Sequence, residues 1–278
     1  MSDKTPAYAG DDKLAELLRA SSTPAALSEV KELLAGIAAA PRPLDDDEWL
    51  RLVVPAADGA LRGQLVALRE TLAAVDDGIG QAGASPARLA DLRAALGRHG
   101  LDGFVVPLAD EHQGEYVARR SRRLAWLTGF TGSAGLALIL AEKAALFTDG
   151  RYTLQIENQT DGALYERHHV TESPPYAWLE ANLSAGMKMG FDPWLHSADQ
   201  RRRLGEACAR VGAELRPCEA NPLDEVWHAQ PPRPVAPIVP QDIQFAGRES
   251  ADKRREIAGQ VKQAGAAAAF LSAPDSIA

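Results

Sequence analysis

From residue 85 onward, short apolar runs alternate with segments of helical period, and this alternation constrains the 278-residue chain to an α/β domain. Ser85-Pro86 opens a helix with Leu89, Leu92 and Leu96 on one face; Gly100 ends it, and Phe104-Val105-Val106 reads as a buried strand stopped by Pro107. Leu136 to Ala141 and Ala144 to Phe147 flank Glu142-Lys143, the pattern of a hairpin inside a mixed sheet flanked by helices. Ser173-Pro174 starts a helix through Trp178 and Leu183, MKMGFD predicts a strand, and Ser197 caps a helix carrying Leu204 and Val211 that ends at Gly212.

The opening unit of that domain recurs near the C-terminus. Ser250 is expected to cap a helix with Ile257 and Val261 on one face, Gly265 ends it, AAAAFLS reads as a small-residue strand, and Pro274-Asp275 follows. The intervening QPPRPVAPIVP has the composition of a stiff, extended linker. One helix and one strand cannot bury a core, so the second copy reads as truncated at Ala278.

Residues 1 to 80 differ in kind. They hold 14 acidic and 8 basic side chains, a net of −6 out of −8 for the chain, and show helical period with no strand pattern. Thr23-Pro24 offers an N-cap, after which Leu27, Val30, Leu33, Leu34 and Ile37 form one amphipathic face; Leu61, Leu65, Leu68, Leu72 and Val75 form a second after the PRPLDDDEW turn. The acidic cluster Asp45, Asp46, Asp47, Glu48 could hold a cation, but it sits where a helix N-terminus favours negative charge, and capping is the stronger reading. DDGIGQAGASP reads as a linker. The expected organisation is a 1–80 acidic helical extension, an 85–232 α/β domain, and a 233–278 linker with the truncated start of a second α/β domain. Docking, oligomerisation or a plain surface role would each suit the extension.

The net charge and a pI near 5.3 disfavour nucleic acid or an anionic membrane as partner. No window reaches the roughly 18 apolar residues of a membrane span, and the N-terminus lacks signal-peptide regions, so the expected location is cytoplasmic. Cys208 and Cys218 suit a reducing compartment, Cys208 as a buried thiol on a helix.

Residues 110–152 carry the strings that suggest a site, because glycine, aromatic and charged residues gather there where strands end. Asp110, Glu111 and Glu115 could form an acid/base pair, although beside RRSRR they suit ion pairs or loop fixation better. Gly129, Gly132 and Gly135 precede a strand rather than follow one, which favours close backbone packing over a phosphate cradle. Ser133 lies outside a GxSxG elbow. His168 and His169 are adjacent and point to opposite faces of a strand, and His112 has no HxxxH companion, so surface or capping roles lead for all three. Arg151 follows the tight turn Asp149-Gly150; on residues alone a turn-flanking salt bridge outranks substrate binding there.

DEHQGEY, RRLAWLTGFTGSAG, LFTDGRYTLQ, GFDPWL and APDSIA, in that order over residues 85–278, resemble the N-terminal region of the three-domain, cytosolic Xaa-Pro aminopeptidases of the creatinase/prolidase-like metallopeptidases. The resemblance implies a creatinase N-terminal-like α/β domain followed by a related second one, and removal of the N-terminal residue from peptides with proline second. It implies two divalent metals, manganese or zinc, held in a catalytic domain beyond Ala278 by two Asp, one His and two Glu. On that reading the chain itself has no cofactor, no metal ligand and no catalytic residue. It is inactive alone, and it contributes homodimer contacts and one substrate-binding residue, Arg151, now favoured for that role. The alternative is a free-standing interaction or assembly module without enzymatic activity; a complete enzyme has least support.

Overall fold

The computed structural model describes residues 7–21, 25–38, 45–57, 59–74, 76–235 and 240–273. They fall into two compact units, Met1–Val235 and Ala236–Ala278. Thr23-Pro24, Val75, the first residues of the PRPLDDDEW turn and Pro274-Asp275 lie outside the described residues.

The first unit begins with four helices, α1 (Asp11–Ala20), α2 (Leu27–Ala38), α3 (Asp46–Val53) and α4 (Gly59–Ala73). Their apolar stripes close a core of their own around Leu14, Leu34, Trp49 and Leu65. Asp45 caps α3: its side chain accepts from Glu48 N at 2.9 Å, and the Glu48 carboxylate accepts from Asp45 N at 3.3 Å. This reciprocal box satisfies two otherwise unpaired amides. Asp46 in turn accepts from Trp49 Nε1 at 2.9 Å. The acidic run is thus helix-end chemistry.

The α/β part continues with α5 (Ser85–Arg98), β1 (Gly103–Pro107), α6 (Arg123–Thr128), β2 (Leu136–Leu140), β3 (Ala144–Thr148), α7 (Thr153–Gln159), β4 (Glu166–His169), α8 (Pro175–Asn182), β5 (Lys188–Phe191), α9 (Ala198–Arg210), β6 (Glu214–Pro217) and α10 (Pro222–Val226). The six strands form one sheet in the order β4-β3-β2-β1-β5-β6. β2 runs antiparallel to both β1 and β3, while β1/β5, β3/β4 and β5/β6 are parallel. Reversal of β2 alone places the carboxyl ends of the other five strands on one edge.

Strand period sorts the side chains between two cores. Phe104, Val106, Ala137, Ile139 and Leu146 pack on one face with Leu89, Leu92 and Leu96 of α5, and Val105, Leu138, Ala145, Phe147 and Met189 pack on the other with Leu179 and Leu204 of α8 and α9. Each large side chain so buried contributes about 2 kcal/mol. Ser197 and Gln200 form the capping box that starts α9. Ser85 begins α5, yet its hydroxyl is buried, donating to Leu127 O at 2.6 Å and meeting Tyr165 Oη at 2.9 Å. Burial pushes the Tyr165 hydroxyl pKa up to about 12.

DDGIGQAGASP is irregular over residues 76–81, passes through one 3-10 turn at Ala82–Ala84 and ends in the first two residues of α5, but it is pinned at many points. Asp77, 5% exposed, caps Ile79 N at 3.1 Å and accepts from Arg119 Nε at 2.8 Å, and its carbonyl accepts from Trp227 Nε1 at 2.9 Å. Arg88 donates to Gly78 O and Trp126 O and lies 4.8 Å over the Trp126 ring, which stacks on Trp227 at 5.3 Å. Ahead of residue 236, the proline-rich segment is held too: Arg120 donates to Pro231 O, and Val235 N donates to Gly36 O of α2 at 2.9 Å. A Cβ on Gly36 would stand 2.8 Å from Arg233 O, so glycine permits this close approach.

The second unit contains α11 (Ile243–Ala246) and α12 (Ser250–Gln263). Two expectations are corrected here. Glu249, with extended backbone, occupies the N-cap of α12, and Ser250 is its first helical residue. AAAAFLS forms no strand: the segment pairs with no neighbour and Phe270 is 93% exposed, and an extended segment gains ladder hydrogen bonds only from an adjacent strand.

Candidate functional site

The carboxyl edge of the sheet carries the loops in which the sequence placed its candidates. After β1, the buried Asp110 carboxylate accepts from His112 N at 3.0 Å, and Gln113 donates from its backbone and side chain to Asp110 O. Gln113 is held at φ 55, the left-handed region, so this turn is built by Asp110. The neighbouring arginines pair elsewhere, Arg119 with Asp77 and Arg123 with Asp224. Glu111 pairs with Arg233 at 3.9 Å. Glu115 stands at the loop tip beside Tyr116, which is 91% exposed.

The 129–135 loop is a packing device. Gly129 ends α6 at φ 82, and a Cβ there would stand 2.8 Å from Ala82 Cα and from Gln159 O. Side chains on Gly132 or Gly135 would strike the Phe130 ring. Ser133 Oγ bonds Tyr152 Oη at 2.7 Å, with no histidine hydrogen-bonded to it. His168 stacks on Phe147 at 5.1 Å between centroids, and His169 Nδ1 accepts from Thr171 N at 3.3 Å. Cys208 is free and buried, with its thiol pushed up to about 11 by desolvation; burial also raises Cys218. Both are poor nucleophiles.

Arg151 follows β3 at the same edge. Asp149 Oδ1 accepts from Arg151 N at 3.0 Å, and its Oδ2 accepts from Nη2 at 2.8 Å. The guanidinium lies over the Tyr152 ring at 5.1 Å, and Tyr152 packs edge-on to Phe130. The hydrogen bonds that Arg151 donates to the Asp149 carboxylate raise the pKa of Arg151 and lower that of Asp149. Both the salt bridge and an exposed cation are therefore present: one side of the fork is fixed and the rest faces solvent. Among the described residues no group of three or more His, Cys, Asp or Glu could hold a metal ion. The described residues do not fit a two-metal centre.

Two family models, both of the creatinase/prolidase N-terminal domain, match residues 88–226 and 229–278. The chain belongs to this family. Aminopeptidase P1 of Arabidopsis thaliana is 37% identical over 193 residues, 68% of this chain and 30% of that protein. Xaa-Pro aminopeptidase 2 of Sus scrofa is 35% identical over 178 residues, 64% of this chain and 26% of that protein. The chain thus spans about a third or less of the curated relatives it matches. An X-prolyl aminopeptidase from Caenorhabditis elegans, a cytosolic enzyme with a di-nuclear active site, superposes with a TM-score of 0.62 at 26% identity, covering 69% of this chain and 33% of that one. No helix among the described residues is long and apolar enough to cross a membrane.

His196, missed in the sequence, also lies on this edge of the creatinase/prolidase-type domain. Its Nδ1 donates to Asp192 O at 2.9 Å, its Nε2 is buried without a partner, and its ring packs edge-on to Phe191. Desolvation lowers its pKa, and the Asp192 carbonyl and charge only partly oppose this. The unfolded chain therefore takes up a proton first as pH falls through about 6.5, so this contribution to stability is complete above that pH and declines below it. Urea unfolding between pH 7 and pH 5 should show a shallower acid-side decline for His196→Gln than for wild type, by up to about 1.4 kcal/mol per pH unit. Parallel profiles would refute this role.

Proposed function

We propose that residues 85–278 form the N-terminal, non-catalytic part of a cytoplasmic, metal-dependent Xaa-Pro aminopeptidase, which removes the first residue from peptides with proline second. The observation that carries this reading is the 37% identity over 193 residues to an aminopeptidase P. In this role the 85–232 domain contributes homodimer contacts and presents Arg151 to peptide, residues 233–278 begin a second related domain, and 1–80 is a helical extension. The water-activating manganese or zinc pair belongs to a further portion of the polypeptide. Arg151 suits its part because Asp149 and Tyr152 orient the guanidinium while leaving donors for a peptide carbonyl or carboxylate.

The test has two arms. The reading frame following the Ala278 codon should encode two Asp, one His and two Glu of a metal site; an immediate natural stop would favour a free-standing interaction module. In the full-length enzyme, Arg151→Ala should raise KM for proline-second peptides about tenfold, the effect of losing one charge-assisted contact. Unchanged kinetics would remove Arg151 from the site.

A further inference from the structure

Between the end of β1, the start of β2 and α9 lies a cavity of about 440 Å³. Small-molecule sites span roughly 300–1,000 Å³, and open α/β sheets take ligands outside the carboxyl ends of their strands, where this cavity sits. Its walls include Val105, Leu136 and Leu204, an apolar surface. A smaller cavity of about 190 Å³ shares Leu108, Glu115 and Ser133 with it as lining.

The polar groups lining the larger cavity can be sorted by what already occupies them. Ser133 Oγ is engaged by Tyr152, Gln113 Nε2 by Asp110 O, Gln200 Oε1 by Ser197 N, and His196 Nδ1 by Asp192 O. Left for a ligand among the described residues are the Glu115 carboxylate, the Gln113 amide oxygen, the Tyr176 hydroxyl and the Gln200 amide N–H groups, while His196 Nε2 is also unpartnered but buried. Among the described residues Glu115 makes no hydrogen bond and no ion pair within 4.0 Å; it is attracted at longer range by Arg151. No lysine or arginine lines this cavity. Such a lining disfavours an anion and offers acceptors to a cation, with one amide donor besides.

The geometry points to a second ligand site at this cavity, for a small apolar molecule carrying one ammonium group and one neutral carbonyl, the chemistry of an α-amino amide. The ammonium is met by Glu115, with the Gln113 oxygen and Tyr176 hydroxyl as further acceptors. Gln200 donates to the carbonyl, and the apolar body rests on Val105, Leu136 and Leu204. Arg151 does not line this cavity, so the site stands or falls apart from the function proposed above.

Methyl-resolved NMR titration of the full chain with leucinamide near pH 7, where an α-amino group is mostly charged, tests it. Saturable shifts are expected at the methyls of Val105, Leu136 and Leu204. Glu115→Gln, at an exposed position, should weaken binding about fivefold, and 4-methylpentanamide, which lacks the ammonium, should bind about tenfold more weakly. Ala109→Phe, at a half-buried loop position on the wall, should block binding. No saturable shift at these methyls up to about 20 mM leucinamide would overturn the site, since that limit exceeds millimolar affinity. Equal affinity for the uncharged amide, or for Glu115→Gln, would overturn it too.

Discussion

Asp224→Ala is expected to lower the unfolding free energy by about 3–4 kcal/mol, the range found when one partner of a buried ion pair is removed. Arg123 is 8% exposed and lies on α6, with Nε and Nη2 each donating to Asp224 at 2.7 Å. Burial alone would lower the pKa of this guanidinium; the hydrogen bonds and charge of Asp224 outweigh it and raise the pKa. Nη1 is already buried without a hydrogen-bond partner among the described residues, and Asp192 and Glu111 act on the guanidinium only as longer-range charges. Asp224 also accepts from Gln230 Nε2 at 2.8 Å, so the segment leading to the prolines loosens with it. The double variant Arg123→Met/Asp224→Leu should recover most of the loss, because two apolar side chains need no mutual charge compensation. Urea unfolding measures both. A loss below about 1 kcal/mol for Asp224→Ala, the scale of an exposed pair, would show that water reaches Arg123 freely.

Trp227→Ala should cost about 4 kcal/mol, within the span for deleting a buried tryptophan side chain. Trp227 is 2% exposed, stacks on Trp126 and donates its indole N–H to Asp77 O. Its removal opens a cavity beside Trp126 and takes away the indole donor of the Asp77 carbonyl. Trp227→Phe keeps most of the apolar contact and loses only the hydrogen bond, so it should cost about 1–2 kcal/mol. Because the 76–84 segment is held largely through this stack and the Arg88 and Asp77 bonds, the alanine variant should also be cut there by low protease concentrations that spare wild type. Equal protease resistance would mean that the segment is held by other contacts.

Sequence period exposed the parts of the fold whose causes are local. β1, the β2/β3 hairpin and the Ser197 cap of α9 were legible because alternation and capping act within a few residues. β4, ERHH, and β6, ELRP, were not, because edge strands bury little and need no apolar alternation. Asn221-Pro222, an N-cap followed by proline, could have announced α10. The 76–84 segment read as a linker because its restraints come from Arg88, Arg119 and Trp227, as many as 150 residues away. AAAAFLS erred the other way: β-like composition predicted a strand, and strand formation depends on a neighbour that composition does not supply. At the candidate site, the turn Asp149-Gly150 and its salt bridge to Arg151 were legible in the sequence, whereas His196 and the cavity lined by Glu115 arise from chain crossings that no window of sequence contains.

The hydrogen bond from Val235 N to Gly36 O joins positions separated by nearly the whole first unit. On a ribosome adding about 5–20 residues per second, the helices before residue 75 are synthesised roughly 8–32 seconds before Val235 is made. The early helices therefore wait as a finished surface, and the proline-rich strand of chain is laid onto Gly36 as a late step in completing the first unit.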